Sequence, residues 1–168
     1  MSTLSVITIC FNNLAELQKT CASVDGQTHV PDEHWVINGS TTTEIAEWLA
    51  QIPQPSYRKW INERDKGIAD AFNKGIARSN GEVTHLLNSG DVYASEDVIS
   101  CVMDIFDKSP DIQWTSGNIQ MTRAGKKVIV GKPFEKSKLY RGMRSVSHPT
   151  WFVKKQVYSR IGLFKSDY

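Results

Sequence analysis

The stretch DKGIADAFNKGIARSNGEVTHLLNSGD, Asp65 to Asp91, contains a helix, a stop signal and a strand in succession. Gly67 to Arg78 repeats apolar residues at helical spacing, with Ile68 at the start of the stripe, and Asn80-Gly81 is typical of a helix end. Glu82 to Leu87 predicts a buried strand. The strand stops on Asn-Ser-Gly-Asp, so a carboxylate follows a glycine that allows a sharp turn.

Strands and helices alternate on the N-terminal side of this stretch. Strands are predicted at Leu4 to Phe11, His34 to Ile37 and Tyr57 to Ile61, with helix caps at Asn12 or Asn13 and in the run Thr41 to Thr43. This repetition favours a parallel sheet covered by helices on both faces. Ligands bind such sheets at the carboxyl ends of the strands, and polar residues follow all four strands here.

The pattern changes after residue 110. Ser95 is predicted to cap a helix from Glu96 to Phe106. Ile112 to Thr122 and Lys127 to Val130 are then predicted to pair as a hairpin, and Gln156 to Ile161 to form a short helix.

Composition indicates a soluble globular chain of 168 residues, 40% hydrophobic and 23% charged. No window holds the roughly 20 apolar residues that a membrane span needs, and the N-terminus resembles a first strand more than a signal peptide. Three cysteines, Cys10, Cys21 and Cys101, show no metal-ligand spacing and favour a reduced, cytoplasmic protein.

Charge is distributed unevenly, although the formal net charge is +2. Residues 1–119 contain 8 Lys/Arg and 16 Asp/Glu, whereas residues 120–168 contain 12 and 2. The basic segment is either a solvated face or a patch for an anionic partner, such as membrane lipid or a phosphate-bearing ligand. Nucleic acid is disfavoured, because the segment offers no stacking platform comparable to an RNA-binding sheet.

Common nucleotide and hydrolase motifs are absent. The first strand is followed by Cys-Phe-Asn-Asn and not by G-x-G-x-x-G, and neither a Walker loop nor G-x-S-x-G occurs. A divalent cation is another way to hold phosphates, and Asp91 beside Gly90 is placed to bind one. An aspartate in such a turn is also commonly structural.

The quoted stretch resembles the family 2 glycosyltransferases of the GT-A fold, nearest the branch that builds bacterial capsule and exopolysaccharide, including colanic-acid-type transferases. It matches D-x-G-I-x-D-A-x-N-K-G-I and then L-N-S-G-D. Ser5 to Asn12 resembles the family's first strand, S-I-I-T-x-x-Y-N. Ser147 to Phe152 resembles S-H-Q/P-x-x-F, and Gly162 to Tyr168 resembles G-x-F-D-E-x-Y.

The resemblance implies an α/β GT-A fold, with a Rossmann-like, mixed, mainly parallel sheet and helices on both faces. It implies a single domain, 1–168, with a nucleotide-binding half (1–110) and an incomplete acceptor-side half (111–168). The implied activity is metal-dependent sugar transfer with inversion. The donor would be a nucleotide-diphospho-sugar, and the acceptor a saccharide or a polyprenyl-diphosphate-linked acceptor in bacterial surface polysaccharide synthesis. The implied location is cytoplasmic, peripheral at the inner face of the membrane.

The resemblance also assigns residues. Asp91 would bind Mn²⁺ or Mg²⁺, and His148 is a candidate near the diphosphate or acceptor, with a packed or capping residue as the alternative. The other donor-site candidates are Thr8, Cys10, Phe11, Asn12, Asn38, Ser40, Asp65, Lys66, Asp70, Asn73, Lys74, Asn88, Ser89 and Gly90. Asp70 is alternatively a first-turn dipole partner, and Asn73 alternatively makes a helix–sheet hydrogen bond.

The sequence departs from the family pattern at several positions. Asn38 replaces a base- or ribose-binding aspartate, and Thr43-Glu44 replaces Asp-Gly. The family's general base usually follows G-x-F-D-E-x-Y, so we expect truncation at Tyr168, with the base beyond it. The alternative is an inactive nucleotide-sugar-binding or scaffold protein. A nucleotidyltransferase is disfavoured, because the Gly-rich basic loop after the first strand is missing.

Overall fold

The computed structural model describes residues 1–131, 135–137 and 147–165. Strands and helices alternate through the first 108 residues, as the sequence predicts. The main elements in chain order are β1 (Leu4–Cys10), α1 (Leu14–Asp25), β2 (Glu33–Asn38), α2 (Glu44–Gln51), β3 (Arg58–Asn62), α3 (Ile68–Arg78), β4 (Val83–Leu86), α4 (Val98–Lys108), β5 (Trp114–Thr115), β6 (Ile119–Arg123), β7 (Lys126–Val130), a 3₁₀ helix (His148–Thr150), β8 (Phe152–Lys154) and α5 (Lys155–Ile161).

The central sheet has six strands in the order β3-β2-β1-β4-β8-β5. The first four are parallel, whereas β8 runs antiparallel to both β4 and β5. The predicted mixed, mainly parallel sheet is therefore confirmed. The strand order reverses at β1, with β2 on one side and β4 on the other, which creates a crevice at their carboxyl ends.

Helices cover both faces of this sheet. On one face, Leu4 and Val6 of β1 pack with Met103 and Phe106 of α4, and the same face carries α1 and α2. On the other face, Ile7 packs with the apolar stripe of α3. Alternate residues of β1 thus enter two different cores, as expected for a strand buried on both sides.

Helix α3 approaches the sheet at Gly75. A Cβ atom there would lie 2.3 Å from Ile7 Cγ2, so this close approach requires glycine. Ala71, Phe72 and Ile76 bury the predicted stripe. Ile68, expected on the same stripe, is 69% exposed, because it is the first residue of the helix and extends beyond the sheet.

The segment after residue 110 differs from the prediction. Ile112 to Thr122 does not form one strand: Trp114–Thr115 joins the central sheet as β5, and Ile119–Arg123 pairs with Lys126–Val130 in a separate hairpin. The sequence therefore predicts the position of the hairpin turn correctly, but the predicted length of the first strand is wrong.

The predicted helix caps were also partly wrong. Within the described ranges, none of the helices α1 to α4 has a side-chain hydrogen bond at its N-cap, and α4 begins at Val98, after Asp97, and not at Glu96. No helix in these ranges is long and apolar enough to cross a membrane.

Candidate active site

The turn after β4 carries the candidate metal ligand. Gly90 has φ of +102°, a conformation that favours glycine, and this brings Asp91 back towards Asn88. The Asp91 N–H donates to Asn88 O (3.0 Å), and Asn88 Nδ2 donates to Asp91 Oδ2 (3.1 Å). The strand thus ends in a compact turn that presents a partly exposed carboxylate at the crevice.

Helix α1 anchors this turn through Thr20. The Gly90 N–H donates to Thr20 Oγ1, and the Thr20 hydroxyl donates to Asp91 O, both at 2.8 Å. Thr20 gives no motif signal in the sequence, because it lies 70 residues from Gly90 on a helix that shows only an amphipathic pattern. Ser89 completes the turn: its N–H donates to Ile9 O (3.1 Å), and its buried hydroxyl has no partner among the described residues.

His148 lies beside the Asp91 turn. Asn88 Nδ2 is 3.2 Å from His148 Nε2, and the His148 ring lies edge-on to Phe72, with centroids 6.1 Å apart. The two hydrogens of the Asn88 amide can serve Asp91 and His148 together if Nε2 accepts, which leaves the His148 proton on Nδ1. Burial lowers the pKa of His148, and the Asp91 carboxylate opposes this shift.

Asn88 brings two ionisable groups together here, Asp91 and His148. The Glu16 carboxylate of α1 lies against the same turn, since a Cβ atom on Gly90 would be 3.4 Å from Glu16 Oε2. In the described part of the chain, no group of three or more His, Cys, Asp or Glu side chains could hold a metal ion. A carboxylate oxygen and a neutral imidazole nitrogen are acceptable Mn²⁺ ligands. A cation at this position would need further ligands from water or from a phosphate.

The donor-site candidates at the end of β1 divide into two that belong to the strand and two that follow it. Thr8 is fully buried within the strand, and its hydroxyl is 2.9 Å from His34 Nε2. Cys10 is also buried in β1, and burial raises its pKa to about 12. Phe11 and Asn12 follow the carboxyl end of β1: Phe11 is 57% exposed, and Asn12 adopts φ of +51°.

The loop after β2 is fixed mainly by its own contacts. Asn38 is 3% exposed; its Nδ2 donates to Asn62 Oδ1 (2.9 Å), and its Oδ1 accepts from the Ser40 N–H (3.1 Å). Both polar atoms of Asn38 thus bond within the chain and join strand ends, and its contact with a base or ribose stays a prediction. Ser40 Oγ accepts from the Asn12 N–H (2.9 Å), linking this loop to the β1 loop.

Asp65 packs against the loop after β2, at Gly39. A Cβ atom on Gly39 would be 1.9 Å from Asp65 Oδ2, so the carboxylate occupies the space that this glycine leaves open. Asp65 Oδ1 accepts from the Gly67 N–H (3.0 Å). Lys66 is exposed, and its N–H donates to Asp70 Oδ2 (2.9 Å).

The polar residues of α3 are engaged in contacts within the chain. Asp70 accepts the Lys66 N–H and pairs with Lys74 at 3.2 Å, and these two contacts lower its pKa. This is the alternative expected for a first-turn acid. Lys74 Nζ also contacts Glu63 Oε1 (3.0 Å) and Arg64 O (2.6 Å).

Asn73 is bonded to the backbone of the segment after α5. Its Nδ2 donates to Phe164 O (2.8 Å), and its Oδ1 accepts from the Phe164 N–H (3.0 Å). Both bonds connect α3 to that segment and not to the sheet, and a contact of Asn73 with the donor stays a prediction. The contact spans 91 residues, so no local pattern predicts it.

An open cavity of about 730 Å³ lies between the start of α3 and the His148 segment. Its walls are mainly apolar and aromatic, with lysines at its edge. The residues that define it best are Lys66, Phe72, His148, Trp151, Phe164 and Lys165. Sequence analysis did not assign Trp151 or Phe164 to a site, although aromatic residues are frequent between 151 and 168.

Comparison with known proteins identifies the class. Residues 5–162 match the model for glycosyl transferase family 2, and the chain belongs to this family. An uncharacterized glycosyltransferase of Mycobacterium tuberculosis (strain H37Rv) is 30% identical over 168 residues, covering 99% of this chain. The chain spans 64% of that relative's length, just under two thirds. An uncharacterized glycosyltransferase of Nostoc sp. is 26% identical over 145 residues, 85% of this chain and 44% of the relative.

Solved structures confirm the fold. A mannosyltransferase from Pyrobaculum calidifontis, in complex with GDP-Man and Mn²⁺, superimposes with a TM-score of 0.71 at 14% identity, covering 99% of this chain and 48% of that one. S. aureus TarS (residues 1–349), in complex with UDP, gives 0.67 at 16% identity, with 98% and 51% coverage. Both the GT-A fold and the family predicted from the sequence are therefore confirmed.

Proposed function

We propose that this chain is the donor-binding domain of an enzyme that transfers a sugar, with inversion, from a nucleotide-diphospho-sugar to an acceptor. The observation that carries the proposal is the Asp91–Asn88–His148 cluster at the reversal of strand order. Open α/β sheets bind ligands at this position. The family supplies the reaction class, and the two structural neighbours, which bind GDP-Man with Mn²⁺ and UDP, support the ligand class.

The residues present fit a divalent cation. Asp91 would hold Mn²⁺ or Mg²⁺ through its carboxylate. His148 Nε2 would become a second protein ligand for Mn²⁺ only after it releases the Asn88 N–H, because its one lone pair cannot serve both. The cation would offset the negative charge that develops on the departing diphosphate. Asn88 holds both side chains towards the crevice, and Gly90 gives the turn its conformation.

The donor nucleotide would lie between the loops after β1, β2 and β3. Phe11 offers an exposed aromatic surface, Asn12 and Ser40 connect two of these loops, and Asp65 and Lys66 form the opposite edge. Asn38 would act indirectly, by holding the strand ends together. Asp70, Asn73 and Lys74 would shape the start and the outer face of α3, since their side chains are used within the chain.

The acceptor proposed is a saccharide or polyprenyl-diphosphate-linked saccharide in bacterial surface polysaccharide synthesis. Support comes from the resemblance to the exopolysaccharide branch and from the aromatic cavity beside His148. Inversion requires a general base on the acceptor hydroxyl. Because the chain spans under two thirds of its mycobacterial relative, transfer is best measured with the full-length natural protein.

Calorimetry tests donor binding. UDP- and GDP-sugars are titrated into the chain with and without Mn²⁺, and into the variants Asp91→Ala and Asp104→Ala. Asp104 is an exposed acid on α4, paired with Lys108, and it serves as the control. We expect Mn²⁺-dependent binding that weakens at least tenfold in Asp91→Ala, as loss of a metal-ligand carboxylate implies, and stays unchanged in Asp104→Ala.

Absence of binding by the unmodified chain, or equal binding by both variants, contradicts the proposal. Donor binding without transfer by the full-length protein, tested with saccharide and lipid-linked acceptors, supports the second hypothesis of a nucleotide-sugar-binding scaffold. Asn38 favours this second hypothesis, because it is buried and bonded within the chain at a position where the family usually has a base- or ribose-binding aspartate.

An anionic membrane surface is the proposed partner of the basic segment. Residues 112–134 contain no Asp or Glu, and the β6–β7 hairpin carries Arg123, Lys126 and Lys127 at its tip, next to exposed Met121 and Ile129. Each basic residue near an anionic surface contributes about 1 kcal/mol. Four further basic residues of this segment, Lys132, Lys138, Arg141 and Arg144, lie outside the described ranges.

Liposome sedimentation distinguishes this surface from a solvated face. Vesicles with anionic lipid should retain the protein, and retention should fall when Arg123, Lys126 and Lys127 are changed together to Ser. Equal partitioning to neutral and anionic vesicles contradicts the membrane proposal without affecting donor binding.

A further inference from the structure

His85 is a fully buried imidazole of β4, and both of its nitrogens have partners. Nε2 lies 2.9 Å from Pro149 O, and Nδ1 lies 2.8 Å from Tyr93 Oη. A carbonyl oxygen can only accept, so Nε2 carries the proton and Nδ1 accepts from the Tyr93 hydroxyl. One neutral tautomer therefore satisfies both bonds.

These two bonds reach the two segments that form the candidate site. Tyr93 is two residues after Asp91, and its N–H donates to Ser23 Oγ of α1 (2.8 Å). Pro149 directly follows His148 in the 3₁₀ helix. His85 thus connects the Asp91 turn and the His148 segment within the protein interior, and Asn88 connects the same two segments nearer the surface.

The ring itself is held firmly. It stacks on Phe152 of β8, with centroids 4.0 Å apart and planes 8° from parallel, and it lies 5.4 Å from the Tyr93 ring. Burial lowers its pKa to about 4, so the ring is neutral near pH 7. A rigid neutral ring with one donor and one acceptor fixes the distance between its two partners.

We propose that His85 is a positioning residue, which sets the separation between the Asp91 carboxylate and the His148 imidazole by binding Tyr93 and Pro149. The role of this separation in cation binding rests on the proposed function. His85 itself lies beneath the crevice and contacts neither ligand nor cation. Outer partners that orient metal ligands typically change metal affinity by about 10- to 100-fold when mutated.

The test compares three variants. His85→Phe keeps an aromatic ring against Phe152 but loses both bonds, and Tyr93→Phe loses only the Nδ1 partner. His34→Phe is the matched control, because His34 is an equally buried imidazole of β2, bonded to Thr8 and Arg58 away from the Asp91 turn. Thermal denaturation sets a temperature at which each variant is folded.

Two readouts are used. Mn²⁺ affinity, measured by EPR with Mn²⁺ alone and with UDP or GDP added, should weaken about tenfold in His85→Phe, less in Tyr93→Phe, and by under twofold in His34→Phe. In metal-free protein, the NOE between the Asn88 side-chain amide and the His148 ring should weaken in His85→Phe and persist in His34→Phe.

Each outcome decides the inference. A folded His85→Phe that keeps the NOE and the unmodified protein's Mn²⁺ affinity overturns it, as does an equal loss in His34→Phe. If the unmodified protein binds no Mn²⁺, the proposed function fails, and the NOE comparison alone decides the positioning role. If His85→Phe does not fold, the comparison of Tyr93→Phe with the unmodified protein decides the positioning role. A Tyr93→Phe protein with unchanged Mn²⁺ affinity and an unchanged NOE overturns the inference.

Discussion

Glu33 gives the clearest link between a buried charge and the stability of this fold. Its side chain is 10% exposed. Oε1 accepts from Lys59 Nζ (2.7 Å) and Asn80 Nδ2 (3.0 Å), and Oε2 accepts from the Asn80 N–H (2.7 Å) and the Ser5 hydroxyl (2.8 Å). The carboxylate therefore joins β1, β2, β3 and the turn before β4.

These bonds determine the pKa of Glu33. Burial alone would raise it, but the bonds from Lys59, Asn80 and Ser5 outweigh burial and lower the pKa from 4.5 to about 2. At about 1.4 kcal/mol per pH unit, the difference corresponds to about 3 kcal/mol in favour of the folded state. Because the folded pKa is depressed, this contribution is present above pH 4.5 and is lost as the pH falls through 2.

Glu33→Gln removes the charge and places an amide N–H₂ among four donors. We expect about 3 kcal/mol lower unfolding free energy at pH 7 and a much smaller difference near pH 2. Urea denaturation followed by circular dichroism at both pH values measures this, with the exposed Glu82→Gln as a control that should change stability by under about 0.5 kcal/mol. A pH-independent difference, or one no larger than the control's, refutes the reasoning.

Three further substitutions test packing and turn geometry. Gly75→Ala should lower stability by about 1–3 kcal/mol in thermal denaturation, because the new Cβ meets Ile7 at 2.3 Å; a gain would show that helix propensity prevails. Gly90→Ala should cost about 1–3 kcal/mol and weaken Mn²⁺ binding, because φ is +102°, whereas normal stability and binding would contradict the turn conformation. Asn73→Ala should free Phe164 and speed tryptic cleavage after Lys165, whereas an unchanged rate would show that the two bonds do not hold this segment.

Local sequence patterns predicted most of the sheet and its helices. The apolar run of β1 and the stripe Ala71, Phe72 and Ile76 of α3 carry their periodicity within a few residues. The polar strand ends also located the crevice, because parallel strands converge at one edge. Asp91, Asn88 and His148, which are paired in the candidate site, all belong to segments that the sequence motifs had indicated.

What the sequence did not predict depends on contacts between distant residues. Asn38 donates to Asn62, which is 24 residues away, and no local pattern predicts this bond. Thr20 and His85 gave no motif signal, since a helical threonine and a strand histidine are unremarkable until the fold brings their partners near. The division of residues 112–122 between two sheets likewise depends on β8, which is more than 30 residues away.

The central claim is that the Asp91 carboxylate binds a divalent cation at the crevice between β1 and β4. Anomalous diffraction at the manganese edge, from crystals soaked with Mn²⁺ and a UDP- or GDP-sugar, tests this most directly. The account predicts a peak at bonding distance from an Asp91 carboxylate oxygen and adjacent to the donor diphosphate. Bound donor with no peak at Asp91, or with the manganese held elsewhere, contradicts it.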